Sequence, residues 1–481
     1  MNYYIGIDLG TSSLKGLLTD HEGRILKSAS RDYPVEYPSD GWTQQDPAHW
    51  ERAMNEVLSS LADGIREEIR GISFGGQMHG LVVLDKDGRP IRPCILWNDG
   101  RSASQTAYLN EVIGREELSR LTGNIAFAGF TAPKILWLRE NEPENFSRIA
   151  SIMLPKDYLV YLLTGKLSCD YSDASGTLLL DVENRRWSSE MCGICSVKEE
   201  WLPQLHESFE VVGKALDRYG LPNALVIAGA GDNAAAAVGT GTVENGSCNI
   251  SLGTSGTVFI ASDSFSADAN NSLHSFCHAD GRWHLLGCIL SAASCRRWWL
   301  DDILSGFDYD LDEEEVLGCD TGDTIFLPYL TGERSPHNDV DIRGAFINLG
   351  ATTTRAQMSR SVMEGVAFAL RDCMEIAKLS NDRIIETTLC GGGAKSKAWR
   401  QILSDVLDTP IDIPETEQGP SYGAAILAMV GCGEYPSVDT ACEKLIRTRE
   451  RIYPDREAVK RYEEKYRVFR KLYPLLKSLR E

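Results

Sequence analysis

Two stretches of this chain, half its length apart, carry the same device. Residues 4–13 read YIGIDLGTSS and residues 247–256 read SCNISLGTSG. In each, an alternating apolar strand runs into L-G-T-S and a small residue. Apolar sequence then resumes, LKGLL in one copy and TVFI in the other. The LGTS tetrapeptides begin at Leu9 and Leu252, 243 positions apart in a chain of 481 residues. A strand–turn–strand unit repeated at that distance implies two domains of like architecture facing each other. The length suits that reading, since a domain takes roughly 100–200 residues.

Strands and helices alternate around the echo. IRGISF (69–74) and LVVLD (81–85) have strand character, and residues 50–69 have the apolar spacing of a helix. LVIAGAGDNAAAAVGTG (225–241) reads as a buried strand, a glycine turn and a small-residue helix start. In the second half, residues 356–379 read as a long helix and 387–396 as a short strand ending in a triple-glycine turn. Residues 421–433 read as an Ala-rich helix with a glycine stop. The pattern predicts an α/β protein with open sheets. The polar stretch at 241–246 divides it into residues 1–243 and 244–481. In the tail, residues 444–481 carry 13 Lys or Arg against 6 Asp or Glu. Tyr462, Tyr466, Phe469, Tyr473 and Leu476 recur there as one apolar stripe. A terminal helix docked on an acidic body is the expectation.

Composition excludes several classes of function. With 69 acidic and 49 basic side chains the net charge is −20, which repels nucleic-acid backbones. A nucleotide stays open as a ligand, because a few backbone N–H groups bind phosphate even in an acidic protein. No apolar run reaches about 18 residues, which argues against a membrane span. The N-terminus, MNYYIGIDLG, has no basic leader. Its 13 cysteines are scattered, as expected of reduced thiols in a cytoplasmic protein. Cys192 and Cys195 form a lone C-x-x-C, which reads as structural.

Four constellations carry chemistry. Asp8 ends a buried strand before Gly10, Thr11, Ser12 and Ser13, whose N–H and hydroxyl groups suit an anion. Beside phosphates Asp8 calls for an intervening Mg²⁺, held mainly through water; a hairpin with an Asp cap is the plain alternative. The second hairpin, with Gly253 and Thr254, lacks the Asp, so it offers phosphate donors and no metal ligand. Asp232 sits at the mouth of the apolar run AGAGDNAAAAVG. There it is either a helix N-cap or a base aimed at a substrate hydroxyl. In FGGQMHGL (74–81), Gln77, Met78 and His79 follow a strand end, where open α/β sheets bind ligands. Downstream, Trp97, Asn98, Asp99 and Arg101 suit a small polyhydroxy ligand. Finally, CGGGAKS (390–396) would let a flat ring lie on bare backbone, and it is not a P-loop.

In this order, DLGTSS, LGTSG, GAGDNAAAAVG and CGGGAKS resemble the phosphate-1, phosphate-2, connecting and adenosine motifs of one superfamily. It unites sugar kinases, actin and heat-shock chaperone ATPases. Within it, GFTAPKILWLREN (129–141), GQMHG, LWNDGR, MLPKDYL, SDASGT, LPYLTGERSPH and LSAASC resemble the FGGY carbohydrate kinases, and among them the members acting on D-xylulose. The resemblance spans roughly residues 3 to 475. It implies two ribonuclease H-like (actin-like ATPase) domains with mixed sheets flanked by helices and the active site in the interdomain cleft. It implies ATP-dependent phosphorylation of D-xylulose at the 5-hydroxyl, with sugar mainly on the first domain, ATP mainly on the second and Mg²⁺ near Asp8. Asp232 then matches the catalytic base, and Met78, His79 and Asn233 the sugar contacts. Asp8 matches the carboxylate near Mg²⁺, and Thr11, Ser12, Gly253 and Thr254 the phosphate contacts. Gly392 and Gly393 match the adenosine loop. Some relatives place an Asn shortly after these glycines; this chain has Lys395, Ser396 and Lys397, and Lys395 joins the nucleotide contacts. Lys15 is in reach of a phosphate. A homodimer is a family-level expectation. The rival readings are a kinase for another ketose or polyol, such as ribulose or glycerol, and a non-enzymatic ATP-binding switch.

Overall fold

The computed structural model describes residues 2–379, 384–416 and 418–480. The echo becomes two hairpins at corresponding places in two sheets. In the first, β1 (Tyr3–Leu9) pairs antiparallel with β2 (Ser13–Asp20), which pairs antiparallel with β3 (Ile25–Asp32). On its other side β1 lies parallel to β4 (Ile69–Gly76). The sheet then adds β5 (Val211–Lys214), β6 (Leu225–Ile227) and the short β7 (Ala230–Gly231), in the order β5-β6-β4-β1-β2-β3 with β7 beside the end of β4. Ala230 and Gly231 are in register with Gly75 and Gly76. The loop after β4 and the residue after β7 therefore emerge side by side.

The second sheet repeats this plan. Its strands are β8 (Ser247–Leu252), β9 (Gly256–Ser262), β10 (His274–Cys277), β11 (Trp283–Ile289), β12 (Glu386–Cys390), β13 (Ile411–Pro414) and β14 (Thr448–Ile452). Their order is β10-β11-β9-β8-β12-β13-β14. As in the first sheet, the hairpin β8–β9 is antiparallel and β8 lies parallel to the next strand inward, β12. These central strands are buried on both faces, as strands covered by helices on both sides must be. The fold is thus α/β, two mixed sheets flanked by helices.

Several helices follow from local chemistry. In α1 (Pro47–Leu61), Asp46 caps the first turn by accepting from Ala48 N, with Pro47 at the first helical position. The periodicity at 50–69 predicted a longer helix. It stops at Leu61 because Gly64 takes φ +78°, and a short turn at Arg66–Glu68 leads into β4. The other helices that matter here are α2 (Asp232–Gly239), α3 (Arg355–Leu379), α4 (Lys397–Leu407), α5 (Gly419–Gly431) and α6 (Arg456–Ser478). On α6, Tyr462, Tyr466 and Phe469 are buried. Lys465 Nζ reaches Glu364 Oε2 at 2.6 Å and Tyr466 donates to Asp372 at 2.5 Å, so the basic tail docks on carboxylates of α3.

The long-range feature of the fold is α5. It belongs to the second half by sequence, yet it packs on β1, β4 and α2 of the first. Small residues permit this. A Cβ on Gly423 would overlap the carbonyl of Ala235, and one on Gly6 would overlap that of Ser421. The Ala and Gly runs at 230–239 and 419–425 therefore form a close helix–helix and helix–sheet contact. One apolar core also spans both halves, joining Leu81 and Ile135 to Phe259, Phe276 and Leu286. No helix among the described residues is long and apolar enough to cross a membrane. All 13 cysteines are free thiols; Cys192 and Cys195 lie in the shared core, where burial pushes them up to about 11 and about 12.

Candidate active site

The two hairpins open onto one cleft of about 520 Å³ between the sheets. The first sheet contributes Asp8, Lys15, Asp232 and Asn233, and the second contributes Ser251, Thr257, Gly391, Gly392 and Lys395. Asp8 stands directly opposite Lys15 across the β1–β2 ladder. Burial pushes Asp8 up to about 7, the Asp232 carboxylate adds to this, and Lys15 opposes it.

Asp232 begins α2, and the cap position belongs to Gly231, which has no side chain to offer. The N-cap alternative therefore does not describe Asp232. Its Oδ1 accepts from Asn233 N at 2.8 Å and Asn233 Nδ2 at 3.1 Å. No described residue donates to Oδ2. Burial pushes the carboxyl up to about 6, against the pull of the Asn233 N–H. A carboxylate so placed, with one oxygen fixed and one open to a cleft, can take a proton near neutral pH.

The loop after β4 supplies the neighbouring groups. Met78 is buried, with Sδ 3.9 Å from Asn233 Nδ2. His79 has φ +69°, its Nδ1 lies 2.8 Å from Gly176 O, and its ring stacks on Phe130 at 4.7 Å. Burial pushes its pKa down to about 3, with Lys134 and Arg334 adding to the effect. The ring is therefore neutral; Nδ1–H donates to the carbonyl and Nε2 is left as an acceptor. It can receive a substrate hydroxyl and cannot serve as a general acid.

Three expected substrate ligands are engaged by partners within the first half. Gln77 is buried under the first hairpin, its N–H donating to Leu9 O and its amide to Gln45. Asp99 forms an ion pair with Arg101 at 2.8 Å in which both side chains are fully buried, and its oxygens also accept from Thr43 N and Arg101 N. Arg101 in turn stacks over Trp42 at 4.2 Å. With every lone pair on Asp99 spent inside the loop, it braces the site rather than presenting to the cleft. Trp97 is 41 % exposed and donates to Thr11 Oγ1 at 3.0 Å, tying this loop to the first hairpin. Ser12, at the hairpin tip, is exposed.

The second hairpin is oriented by segment 292–294. Ala293 N donates to Gly253 O at 2.8 Å, and Ala292 N donates to Thr254 O at 2.9 Å. The glycine triplet lies against this hairpin. Gly391 has φ +90°, and a Cβ there would come 2.8 Å from the Leu252 backbone. A Cβ on Gly393 would reach the Leu252 side chain at 2.6 Å, whereas one on Gly392 would meet nothing within 4 Å. Two of the glycines thus serve packing, and the middle one leaves bare backbone open. Gly392 and Lys395 line both the cleft and an adjoining cavity of about 710 Å³, which also takes in Thr254, Gly393 and Arg297. On the nucleotide role that the resemblance implies for this loop, Gly391→Ala is expected to weaken ATP binding about tenfold and leave sugar binding intact, as calorimetry with each ligand would show. Gly391 takes φ +90° and ψ +173°, a region essentially reserved for glycine where an alanine costs of order 1–3 kcal/mol, and the overlap with Leu252 displaces the hairpin. Unchanged ATP affinity would mean that the loop does not touch nucleotide.

One group falls partly within the motifs MLPKDYL and SDASGT, to which the sequence assigns no chemical role. Lys156, Asp157, Asp170 and Asp173 are buried together behind Asp232. The available signal was the pair of charges inside the apolar run MLPKDYLVYLL, which is costly unless paired.

Comparison with known proteins agrees with this geometry. The model of the FGGY family of carbohydrate kinases, N-terminal domain, matches residues 3–239, and that of the C-terminal domain matches residues 248–432. The chain is 40% identical to a xylulose kinase of Lactococcus lactis subsp. lactis, covering 98% of this chain and 97% of the relative. It is 37% identical to a xylulose kinase of Escherichia coli, covering 99% of each. Among solved structures, that of a xyloylose kinase from Brucella ovis superposes with a TM-score of 0.95 at 39% identity, covering 99% of this chain and 100% of the other.

Proposed function

The chain belongs to the FGGY family of carbohydrate kinases, and from that premise we infer that it transfers the γ-phosphoryl group of ATP to D-xylulose at its 5-hydroxyl. The observation that carries this reading is Asp232, set beside Asp8 in a cleft between two like hairpins. Residues 1–243 hold the sugar, against Met78, His79 and Asn233, and residues 244–481 hold most of the nucleotide. Thr11 and Ser12 face its phosphates from the first half, and Gly253 and Thr254 from the second. Gly392 and Gly393 lie along the adenosine and Lys395 stands at the junction of the two cavities. The open backbone at Gly392 and the size of the second cavity fit such a ligand.

Asp232 accepts the proton of the 5-hydroxyl as that oxygen bonds to phosphorus. The bond to the leaving ADP oxygen breaks and ADP departs with the electron pair. His79 accepts from another hydroxyl of the sugar and fixes its orientation. A divalent cation suits the first hairpin, because the carboxylates of Asp8 and Asp232 act on each other there and Lys15 is the cation that opposes them at Asp8 among the described residues. Asp8 would hold Mg²⁺, through water, and the ion supplies charge neutralisation for the phosphates.

The test is an ADP-release assay with Mg-ATP against a panel of ketoses and polyols. D-xylulose should be preferred. Preference for ribulose or glycerol would overturn the sugar assignment alone, and no sugar-dependent release from folded protein would overturn the kinase reading. The pH dependence is a second check. The base must be ionised, and burial raises Asp232 to about 6 and Asp8 to about 7. Asp232 faces Asp8 and Asp173, and Lys15 faces Asp8, so the carboxylates titrate together. Activity is therefore present at alkaline pH, and kcat/KM is expected to fall as pH drops through about 7 to 6. A profile flat across that window would exclude a base with this environment.

A further inference from the structure

The segment Asp170–Thr177 lies behind both the base and His79. Strand residues Ser168–Asp170 lead into a short helix at Tyr171–Ala174 and a turn at Ser175–Thr177. Its far end holds His79 through Gly176 O. Its near end holds the peptide one residue before Asp232: Gly231 N, of the Ala230–Gly231 peptide, donates to Ser172 Oγ at 3.0 Å. Ser172 has a single hydroxyl proton, and it is spent on Asp170 Oδ2 at 2.5 Å. The lone pairs of Oγ are thereby turned toward Gly231. Asp170 Oδ2 also accepts from Ser172 N at 2.9 Å and from Ser208 Oγ at 2.8 Å. Its Oδ1 pairs with Lys156 Nζ at 2.8 Å.

Lys156 is the fixed point of this arrangement. Its Nζ lies 2.6 Å from Asp157 and 3.7 Å from Asp173, and it donates to Ala228 O at 3.4 Å. A Cβ on Gly76 would come 2.6 Å from Lys156 Cβ, so the helix Pro155–Thr164 that carries Lys156 packs on the end of β4, one residue before the substrate loop. All four charged side chains are fully or almost fully buried. Asp170 Oδ2 accepts from the Ser172 hydroxyl, Ser172 N and Ser208 Oγ, while Lys156 Nζ fixes its other oxygen, so the carboxylate orients the Ser172 hydroxyl.

We propose that Lys156, Asp170 and Ser172 form a positioning relay that sets Asp232 for proton acceptance. Lys156 holds Asp170 as the acceptor, Asp170 orients the Ser172 hydroxyl, and Ser172 anchors the Ala230–Gly231 peptide that leads into Asp232. None of the three touches substrate; they act through Asp232, so the relay rests on the reading of Asp232 as the base. Loss of the anchor frees the first residue of α2 to shift. A displacement of about 1 Å at a reacting group costs on the order of 100-fold in rate.

The test is steady-state kinetics of Ser172→Ala, Ser172→Thr and Asp232→Ala with D-xylulose and Mg-ATP, alongside thermal melts. Ser172→Ala should lower kcat by about 30- to 100-fold and leave both KM values within about threefold, a split that mere loss of stability does not produce. Ser172→Thr keeps the hydroxyl and should recover most of kcat. A Ser172→Ala enzyme with kcat within about threefold of the parent overturns the relay, and so does an equal loss in the threonine variant. If Ser172→Ala does not fold, Asp170→Asn is read by the same criteria, since it keeps the shape and removes the charge that holds Lys156. Retained turnover in Asp232→Ala refutes the base itself, whatever the serine variants do; an inactive Asp232→Ala beside a fully active Ser172→Ala refutes the relay alone.

Discussion

Asp232→Ala is expected to lower kcat by about 10²–10⁴-fold, the contribution of a positioned general base, while ATP and sugar still bind. The fold should survive the change. Asp232 begins α2 but does not cap it, and the helix continues through four alanines. The two donors that Asn233 gives to Oδ1 are local and can turn to water. The lost group is the oxygen facing the cleft, whose pKa burial has brought to about 6, near the operating range of a base. Asp232→Asn sharpens the result, because it keeps the shape and loses the basicity. Equal losses in the two variants identify proton acceptance as the missing step. Turnover in Asp232→Ala within tenfold of the parent would assign the base elsewhere in the cleft, and Asp8 would be the next candidate.

Lys156→Met should cost about 3–5 kcal/mol of stability, the range for removing one partner from a buried ion pair. The side chain is 0 % exposed and so are Asp170 and Asp173, so water cannot replace the ammonium. Methionine is close in volume, which keeps a cavity from dominating the effect. The pH dependence gives the loss a signature. Burial already pushes Asp173 and Asp157 up against the opposing pull of Lys156, and loss of that cation pushes both further. A carboxyl whose pKa is raised on folding binds more protons native than unfolded, so stability falls as pH rises. The deficit of Lys156→Met should therefore be largest above neutrality and shrink toward about pH 5. Denaturant midpoints at two pH values measure it. A midpoint equal to the parent's at alkaline pH would show that the carboxylates do not depend on this cation.

The sequence carried much of the functional reading. Strand alternation followed by L-G-T-S, twice, placed two hairpins at corresponding positions. The structure seats them at the same place in two sheets of like order. Turn chemistry put Asp8 and Asp232 at strand and helix ends, and both line the cleft. Such signals are legible because backbone conformation at a glycine turn, and the period of buried positions, depend on residues only a few places apart. The same locality leaves side-chain orientation unread. Trp97, Asp99 and Gln77 have the right chemistry for a sugar, but which way each faces depends on distant partners: Thr11, Arg101 with Thr43, and Gln45.

What tertiary structure alone decided lies at longer range. The closing of α5 onto the first half follows from small residues meeting face to face, Gly423 on Ala235 of α2 and Ser421 on Gly6 of β1, 188 and 415 positions apart. The Lys156 cluster joins residues 156 to 228 across 72 positions. Neither has a periodic signature in the chain, because a small residue or a buried charge gains its meaning only from the atom packed against it. The sequence by itself determined which backbone turns and which reactive groups this protein has. Packing decided which of those groups face the cleft and which are consumed in holding the others still, since burial removes water as an alternative partner and leaves each polar atom to the neighbour the fold provides.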